Sequence, residues 1–360
     1  MIFGWFDGIV RFVNRKSFEM TTGLKYCIGI ALLCEFPLVS FSETPAKYAG
    51  EFIAIGVGGR ALGLGGAYVA LANDVTAGYW NPAGLSDLTY PQFVLMHDET
   101  FGGLENYDYG AFALPVGARS TLAFSVIRLG VDNIPNTQNA WVDLNHDGIP
   151  ESNEIDYSKI TYYNAADWAF YLSYAKKATD DFAYGANLKF IRRLNGNASA
   201  TGIGFDVAAK YSLTSAWMLG ANFQDITTTL IAWNTGTNEL ITPTLKIGSA
   251  YFLDALSGRF APAVDVDVRF EGRKSESNAH LWAVSFDFHS GLEYSFKNIV
   301  AIRAGYSDIG SINVGAGIHL PKLDIDYSFA KFDGSDQLDN THRISLTFTL
   351  EAEQFARSSE

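Results

Sequence analysis

A twelve-residue stretch, DLNHDGIPESNE at positions 143 to 154, carries oxygen-bearing side chains at the spacing of a calcium loop. The EF-hand loop places its ligands at positions 1, 3, 5, 7, 9 and 12, with a glycine at position 6 for the sharp turn. Gly148 occupies position 6 here. The corresponding ligands would be Asp143, Asn145, Asp147, Ile149 (through its carbonyl), Glu151 and Glu154.

The elements around this stretch decide what a bound Ca²⁺ could do. A calcium sensor needs a helix on each side of the loop, so that the helix pair can open. Neither the preceding VDNIPNTQNAWV nor the following IDYSKITYYNAAD predicts a helix. We therefore expect Ca²⁺ to stiffen one exposed loop rather than to act as a signal. The alternative is a solvated acidic loop with an Asp-Gly turn.

Composition narrows the class of protein. The 360 residues carry a net charge of −13 and include 48% hydrophobic and 14% aromatic residues. An acidic chain of this kind offers no basic face for nucleic acid, so nucleic-acid binding is excluded as a function. The chain length is that of a single all-β barrel or of two smaller domains.

The first 42 residues have the pattern of a secretory signal peptide. Both cysteines, Cys27 and Cys34, lie in the apolar run YCIGIALLCEFPLVSF, which follows Lys25. The end of this run predicts cleavage before Glu43, and Met20 is the expected true start. A transmembrane anchor and a lipoprotein at Cys34 are the alternatives, but Pro37 interrupts the run and Leu33 is large for a lipoprotein site. Beyond residue 42 no apolar run is long enough for a transmembrane helix.

From Pro91 onward, apolar and polar residues alternate with a period of two, which predicts β-strands. In AVDVDVRF, for example, Val264 and Val266 oppose Asp265 and Asp267. The pattern gives fourteen strands, and short and long connections between them tend to alternate. The predicted strands are 92–98, 107–116, 121–133, 168–176, 182–193, 202–213, 217–227, 244–253, 261–270, 284–296, 299–307, 311–319, 323–332 and 342–350.

These features favour an all-β, fourteen-stranded antiparallel transmembrane barrel. An even strand number, alternating faces and turns sorted by length are typical of outer-membrane barrels. A soluble sandwich would not place aspartates at successive inward positions. We therefore expect the barrel to span 91–352, a C-terminal tail 353–360, and the location to be the bacterial outer membrane.

Residues 43–90 differ from the barrel, because they are rich in Gly and Ala and lack the period of two. Gly56-x-Gly58-x-x-Ala61 formally matches a dinucleotide-binding fingerprint, but no βαβ unit surrounds it. Glycines also let one backbone pass close to another, as in a segment packed inside a barrel. We interpret 43–90 as such a plug or hatch segment.

Two stretches resemble a known family. GVGGRALGLGGAYVALANDVTAGYWNPAGL, from Gly56 to Leu85, is similar to the N-terminal signature of PorV/PorQ outer-membrane proteins, which belong with the FadL-type transporters. EYSFKNIVAIRAGY, from Glu293 to Tyr306, resembles a second family segment. The resemblance implies a plug in the barrel lumen and marks its motif residues. They are Gly58, Arg60, Ala61, Leu62, Gly63, Gly65, Gly66, Ala67, Asp74, Trp80, Asn81, Pro82, Ala83, Gly84 and Leu85.

The resemblance leaves two functions open. The one we expect is a secretion-associated, type IX-like role, in which the barrel binds secreted cargo proteins or secretion-system subunits at the cell surface, because the N-terminal segment resembles the PorV/PorQ pattern more than that of the fatty-acid transporters. The other is FadL-like transport of a hydrophobic solute across the outer membrane; a porin is a third and weaker alternative. In each case outer-membrane lipid surrounds the barrel.

No catalytic pattern accompanies these features. The six histidines are scattered, and neither an H-E-x-x-H pair nor a G-x-S-x-G elbow occurs. The inward carboxylates Asp265, Asp267, Asp324 and Asp326 fit the polar face of a lumen without acid–base chemistry. We therefore expect no enzyme and no cofactor other than the Ca²⁺ of the loop.

The calcium prediction has a direct test. We expect Asp143→Ala and Glu154→Ala each to abolish Ca²⁺-dependent protection of the 134–167 loop against protease. The measurement is limited proteolysis with Ca²⁺ and with a chelator, alongside Ca²⁺ titration. Equal protection and equal Ca²⁺ binding in wild type and both variants would show that the loop is not a calcium site.

Overall fold

The computed structural model describes residues 49–100, 103–142, 144, 148–149, 151–270, 277–307, 310–332 and 340–357. The predicted signal peptide, its cleavage position and the predicted Ca²⁺ ligands Asp143, Asn145 and Asp147 lie outside these residues.

Short helical turns make up much of the segment before the sheet. They are α1 (Glu51–Ala54), α2 (Gly59–Gly63) and α3 (Ala77–Trp80), with a 3₁₀ turn at Pro82–Asp87. Asn81 begins the last turn: its side chain accepts a hydrogen bond from the Ala83 N–H, and Pro82 follows at the first helical position. Among the described residues, no helix is long and apolar enough to cross a membrane.

Eighteen strand segments form one antiparallel sheet. They are β1 (Gln92–Thr100), β2 (Glu105–Val116), β3 (Ser120–Asn136), β4 (Thr161–Lys177), β5 (Phe182–Asn195), β6 (Ala198–Ser212), β7 (Trp217–Gln224), β8 (Thr229–Trp233), β9 (Asn238–Ile241), β10 (Thr244–Tyr251), β11 (Leu253–Ala255), β12 (Gly258–Arg269), β13 (Ala279–Leu281), β14 (Val284–Phe296), β15 (Val300–Tyr306), β16 (Ser311–Leu320), β17 (Leu323–Phe332) and β18 (Thr341–Thr349).

The sheet closes on itself, because β1 pairs with both β2 and β18. Phe93, for example, lies opposite Phe112 on one side and Phe348 on the other. Three positions around the barrel are interrupted. β7 and β8 both pair along β6, and β9 to β11 continue one another. β12 and β13 both pair with Ser285 and Phe286 of β14, so β13 lies on the other edge of β14, in line with β15. The eighteen segments therefore fill fourteen positions, which confirms the predicted fourteen-stranded barrel.

Several connections differ from the prediction. The connection predicted at 194–201 is in fact a turn of two residues, because β5 runs to Asn195 and β6 begins at Ala198. Residues 228–243 contain the additional hairpin of β8 and β9. At the opposite end of the barrel, the predicted connection 254–260 is reduced to a turn at Leu256 and Ser257. The φ values of these residues, 52° and 60°, suit a tight hairpin. The added strand segments are short or rich in turn-forming residues such as Gly and Asn, so the period of two did not reveal them.

Two short 3₁₀ turns lie at the end of the 143–154 stretch and just after it. Ser152–Glu154 and Tyr157–Lys159 form 3₁₀ turns. The second turn begins at Asp156, whose carboxylate accepts a hydrogen bond of 3.1 Å from the Ser158 N–H. Each turn has three residues, so neither provides the helix of an EF-hand.

The two faces of the wall follow the predicted alternation. On β12, Val264 is 57% exposed on the outside, whereas Asp265 and Asp267 are 2% and 1% exposed on the inside. The outer face carries large apolar side chains on every side, including Phe124, Leu188 and Ile318. A closed barrel with an apolar exterior satisfies its backbone hydrogen bonds while facing hydrocarbon.

A charge on this outer face should therefore destabilise the barrel in lipid. We expect Val264→Arg, in the middle of β12, to lower the free energy of unfolding by about 2–4 kcal/mol. Thr235→Arg, on an exposed turn, is the control and should change it by less than about 0.5 kcal/mol. Denaturant unfolding in lipid vesicles measures both. Equal effects of the two variants would contradict the assignment of β12's outer face to the bilayer.

Candidate functional site: the N-terminal segment against the inner wall

The described N-terminal segment, residues 49–90, contacts inward-facing residues on both sides of the barrel. Asp265 of β12 provides one contact, since its Oδ2 accepts hydrogen bonds from the backbone N–H groups of Tyr68 (2.7 Å) and Val69 (2.8 Å). Bonds to a carboxylate are stronger than those between neutral groups. Asp265 therefore fixes this part of the segment, a role that alternation alone does not reveal.

Arg60 of α2 is the centre of an ionic network. Its Nε and Nη2 donate to the two carboxylate oxygens of Glu293 on β14, each at 2.9 Å. Its Nη1 donates to the Tyr68 hydroxyl at 3.1 Å, and that hydroxyl donates to Asp74 at 2.7 Å. Arg303 of β15 continues the network, because it donates to Glu293 at 2.6 Å. Paired N–H donors of this kind fix both position and orientation.

These contacts also set the protonation of the segment's own groups. Burial by itself lowers the pKa of the Arg60 guanidinium, but Glu293, Tyr68 and Asp74 outweigh it and raise that pKa well above its usual range. Burial raises the pKa of the Tyr68 hydroxyl well above its usual range, although Arg60 acts in the opposite direction. Arg60 is therefore charged and Tyr68 a hydrogen-bond donor at neutral pH.

Side-chain amides of the wall bind the backbone at the end of α3. Asn187 of β5 donates to the Gly78 carbonyl, and Asn222 of β7 donates to the Trp80 carbonyl, each at 2.9 Å. Asn81 of the segment donates to its own Val69 carbonyl at 2.8 Å and to the Ala209 carbonyl of β6 at 3.1 Å. Carbonyls that a short helix leaves unpaired are thus satisfied by the wall.

Close backbone packing explains two of the motif glycines. A Cβ at Gly84 would lie 2.1 Å from the Ala72 carbonyl oxygen. Gly65 has a φ of +65°, and a Cβ there would lie 2.7 Å from the Tyr306 backbone. A larger residue at either position would require the backbone to move.

The two stretches that resemble one family are in direct contact. Arg60 and Gly65 belong to the first stretch, and their partners Glu293 and Tyr306 belong to the second. All the motif residues lie in the described segment, and apart from the half-buried Arg60 and Asp74 all are buried. The motif residues of the first stretch are thus the residues through which the segment packs against the wall.

The wall is interrupted between β7 and β8. Residues 225–228 form a turn in which Asp225 and Thr228 have positive φ values of 53° and 58°. Behind it, the Lys189 ammonium lies 2.9 Å from Asp206 and 2.6 Å from Asp225. Because these three charges are buried, each needs the others as partners. The cluster therefore holds the turn against the interior, and sequence alternation gave no sign that these residues meet.

A small cavity of about 70 Å³ lies next to this interruption. Residues of α1 and the segment, including Ile53 and Tyr79, form one side, and Asp225, Ile241 and Lys246 form the other. Lys246 is paired with Asp267. Apolar and polar side chains both line the cavity, and its Lys246 ammonium is neutralised.

The predicted calcium ligands are only partly described. Ile149 and Glu151 are exposed, whereas Glu154 is buried and accepts hydrogen bonds from the Trp141 indole (3.1 Å) and the Leu144 N–H (2.9 Å). Among the described residues, no group of three or more His, Cys, Asp or Glu side chains could hold a metal ion. Because Asp143, Asn145 and Asp147 are not described, the calcium site stays a prediction.

Comparisons with known proteins bear on the fold. No family model and no curated protein matches the chain. Among solved structures, the chain resembles the toluene transporter TodX of P. putida, with 13% identity over 83% of this chain and 99% of that one, at a TM-score of 0.55. The monoaromatic hydrocarbon channel CymD gives 13% identity over 83% and 98%, at 0.54. A FadL homologue of Pseudomonas aeruginosa gives 12% identity over 80% and 98%, at 0.50.

The chain therefore has the fold of FadL-type barrels. With its apolar exterior, this closed fourteen-stranded barrel is a protein of the bacterial outer membrane. The neighbours are described as transporters or channels, and none of these comparisons supports PorV/PorQ membership or a type IX secretion role. At such low identity the likeness establishes fold and not function.

Breaking the Arg60 network should loosen the N-terminal segment. We expect Glu293→Gln, which leaves the charge of Arg60 incompletely paired, to destabilise the docked segment by about 3–5 kcal/mol. The matched control is Asp254→Asn, which breaks the exposed Arg259 pair and should leave the exchange of the segment as in wild type. Hydrogen exchange of residues 57–70 measures the effect. Equal protection in both variants would show that Glu293 does not hold the segment.

Proposed function

We propose that the chain transports a hydrophobic compound across the outer membrane, with the N-terminal segment acting as a plug. The observation that carries the proposal is a band of inward-facing apolar residues directly opposite one another on successive strands. Gly202 lies within the band, which otherwise consists of Tyr109, Ile127, Ala169, Ile191 and Ile231.

An apolar inner band is unsuited to a water-filled pore. The lumen of a porin is polar, because polar solutes cross it in water. Here Ile127, Ile191 and Ile231 are each 0% exposed and belong to one apolar cluster with Phe52 and Ile53 of α1. Displacement of α1 would uncover a surface along which a hydrophobic solute can be desolvated.

The contacts of α1 support its role as the movable part. The Ile53 carbonyl accepts a hydrogen bond from Tyr79 within the segment, and the Ala49 carbonyl lies 3.5 Å from Nη1 of Arg193 on β5. The remainder of the segment is held by Asp265, Glu293 and wall amides. A shift confined to residues 49–55 therefore breaks fewer charge-assisted bonds than displacement of the whole plug.

The route we propose starts at the outer loops and passes the apolar band. It leads to the interruption between β7 and β8, where the small cavity adjoins α1. From there the solute would continue to the periplasm or leave sideways through the wall. The named functions of TodX and CymD suggest a monoaromatic hydrocarbon as the first compound to test.

Two engineered disulfides distinguish which part of the plug moves. A Cβ at Gly50 would lie 3.1 Å from Cγ2 and 3.2 Å from Cγ1 of Ile241, so Gly50→Cys with Ile241→Cys can lock α1 to the wall. A Cβ at Gly78 would lie 4.0 Å from the Ser173 Cβ, so Gly78→Cys with Ser173→Cys locks α3. The only other cysteines, Cys27 and Cys34, lie in the predicted signal peptide.

We expect the oxidised α1 lock to reduce uptake of labelled toluene by about tenfold or more, and a reductant to restore it. The oxidised α3 lock should leave uptake close to wild type. Uptake is measured in cells that lack other hydrocarbon channels. No effect of the α1 lock would refute the displacement of α1, and no uptake by the wild-type protein for toluene or a long-chain fatty acid would refute transport.

The cargo-binding alternative rests on the sequence resemblance alone. Pull-down from solubilised outer membranes distinguishes it from transport. Recovery of secretion-system subunits or secreted cargo would favour that alternative over the one proposed here.

A further inference from the structure

A second inward-facing row of the wall lies next to the apolar band. Each member is two residues along its strand from a member of the band, so both rows face the same side of the sheet. The residues lie directly opposite one another, in the order Leu129, Asp167, Arg193, Ala200 and Trp233. The row thus places the small Ala200 between a cation and a large ring.

Arg193 is held in place along the edge of its guanidinium. Its Nε and Nη2 donate to the two carboxylate oxygens of Asp167 at 3.0 and 2.9 Å, and its Nη1 donates to Glu239 of β9 at 3.0 Å. Asp167 and Glu239 both belong to the wall, so Arg193 keeps these bonds when α1 moves. Because the carboxylates lie at the edge of the planar group, its flat face is left for other contacts.

The ring of Phe52, on α1, lies over the Arg193 guanidinium. Its centre is 5.9 Å from Cζ of Arg193, and the centre of the Trp233 ring is 5.4 Å from the same atom. Both distances are within the range of a cation–π interaction. Phe52 is 4% exposed and belongs to the same apolar cluster as Ala200 and Ile231. A ring of the N-terminal segment therefore fills a place that has apolar walls and one cation.

We propose, on the basis of the transport function above, that the place of Phe52 is a binding site for the aromatic ring of the transported compound. When α1 moves, Phe52 leaves with it. A neutral monoaromatic compound then takes over the contacts of Phe52 with Arg193 and with the apolar residues around it. Phe52 and the compound thus compete for one site, and Arg193 is the residue that determines its specificity.

The cation distinguishes aromatic from aliphatic compounds of equal size. Both kinds of compound gain free energy when they leave water for an apolar site. Only an aromatic ring has a negative face that attracts a cation, and a partly desolvated contact of this kind corresponds to about tenfold in affinity. A carboxylate gains less from Arg193, because Asp167 and Glu239 already accept from the edge of the guanidinium.

Binding to the purified protein in lipid nanodiscs tests the site without any transport. Fluorobenzene and fluorocyclohexane are rings of similar size, fluorine NMR detects both, and empty nanodiscs correct for their partition into lipid. We expect Phe52→Ala to bind fluorobenzene about tenfold more tightly than the wild type does, because the ring no longer has to displace α1. The same variant should bind fluorobenzene about tenfold more tightly than fluorocyclohexane, and Arg193→Met added to it should remove this preference.

The pair of Arg259 and Phe252 provides matched controls, because its guanidinium lies 5.6 Å from the ring but its arginine is exposed. Phe252→Ala should bind both compounds as the wild type does. Arg259→Met, added to Phe52→Ala, should keep the preference for fluorobenzene. In the wild type, fluorobenzene should also speed hydrogen exchange of residues 51–55 and leave that of 57–70 unchanged, since only α1 has to move.

Equal affinity of Phe52→Ala for the two compounds, or tighter binding of benzoate than of fluorobenzene, would overturn the aromatic site. Fluorobenzene binding to the wild type without faster exchange of residues 51–55 would show that the compound does not take the place of Phe52. Thermal unfolding establishes that each variant is folded, and if Arg193→Met fails to fold, Phe52→Ala still decides between the two compounds. Uptake without a preference for the aromatic ring would refute this site and leave transport intact, whereas the preference without uptake would refute transport alone.

Discussion

Backbone N–H and C=O groups inside a hydrocarbon layer must find all their partners within the protein, because no water is present to replace a missing one. The pairing of β1 with β18 meets this requirement by leaving the sheet without an edge. Closure in turn divides every strand into an outer face, which needs apolar side chains, and an enclosed face. The placement of the charged residues, the glycines and the N-terminal segment of this protein depends on that division.

The enclosed face is not simply a solvated surface, since residues 49–90 lie against it. Carboxylates such as Asp206, Asp265 and Asp326 are consequently buried and need partners. Lysine and arginine side chains of the wall supply some of them, and backbone N–H groups of the segment supply others. Buried charges of this kind position a segment more than they stabilise the fold, because desolvation offsets much of their attraction.

The contacts with the wall are unevenly distributed along the segment, so some parts of it are held more firmly than others. Arg60, Tyr68 and the backbone near Trp80 are tied to the wall by ionic or amide groups, whereas α1 packs mainly through apolar side chains. Apolar contacts are non-directional, so the displacement of α1 that we propose would leave no buried charge unpaired. The fold alone is compatible with functions other than transport. The weaker attachment of α1 is the observation that supports our proposal of transport.

The sequence by itself determined the barrel, the strand number and the facing of residues such as Val264 and Asp265, because a period of two has only one register that places apolar groups in lipid. It also predicted that the segment before the first strand packs closely against other backbone, since its many glycines and alanines suit such packing. It did not determine the hairpin of β8 and β9, because TLIAW and NELI are only five and four residues long and give too little sequence to establish a period of two. The meeting of Arg60 with Glu293, of Lys189 with Asp206 and Asp225, and the apolar band at Ile127 and Ile191 were decided only by the tertiary structure. These residues are far apart in the chain, and only closure and register bring them together.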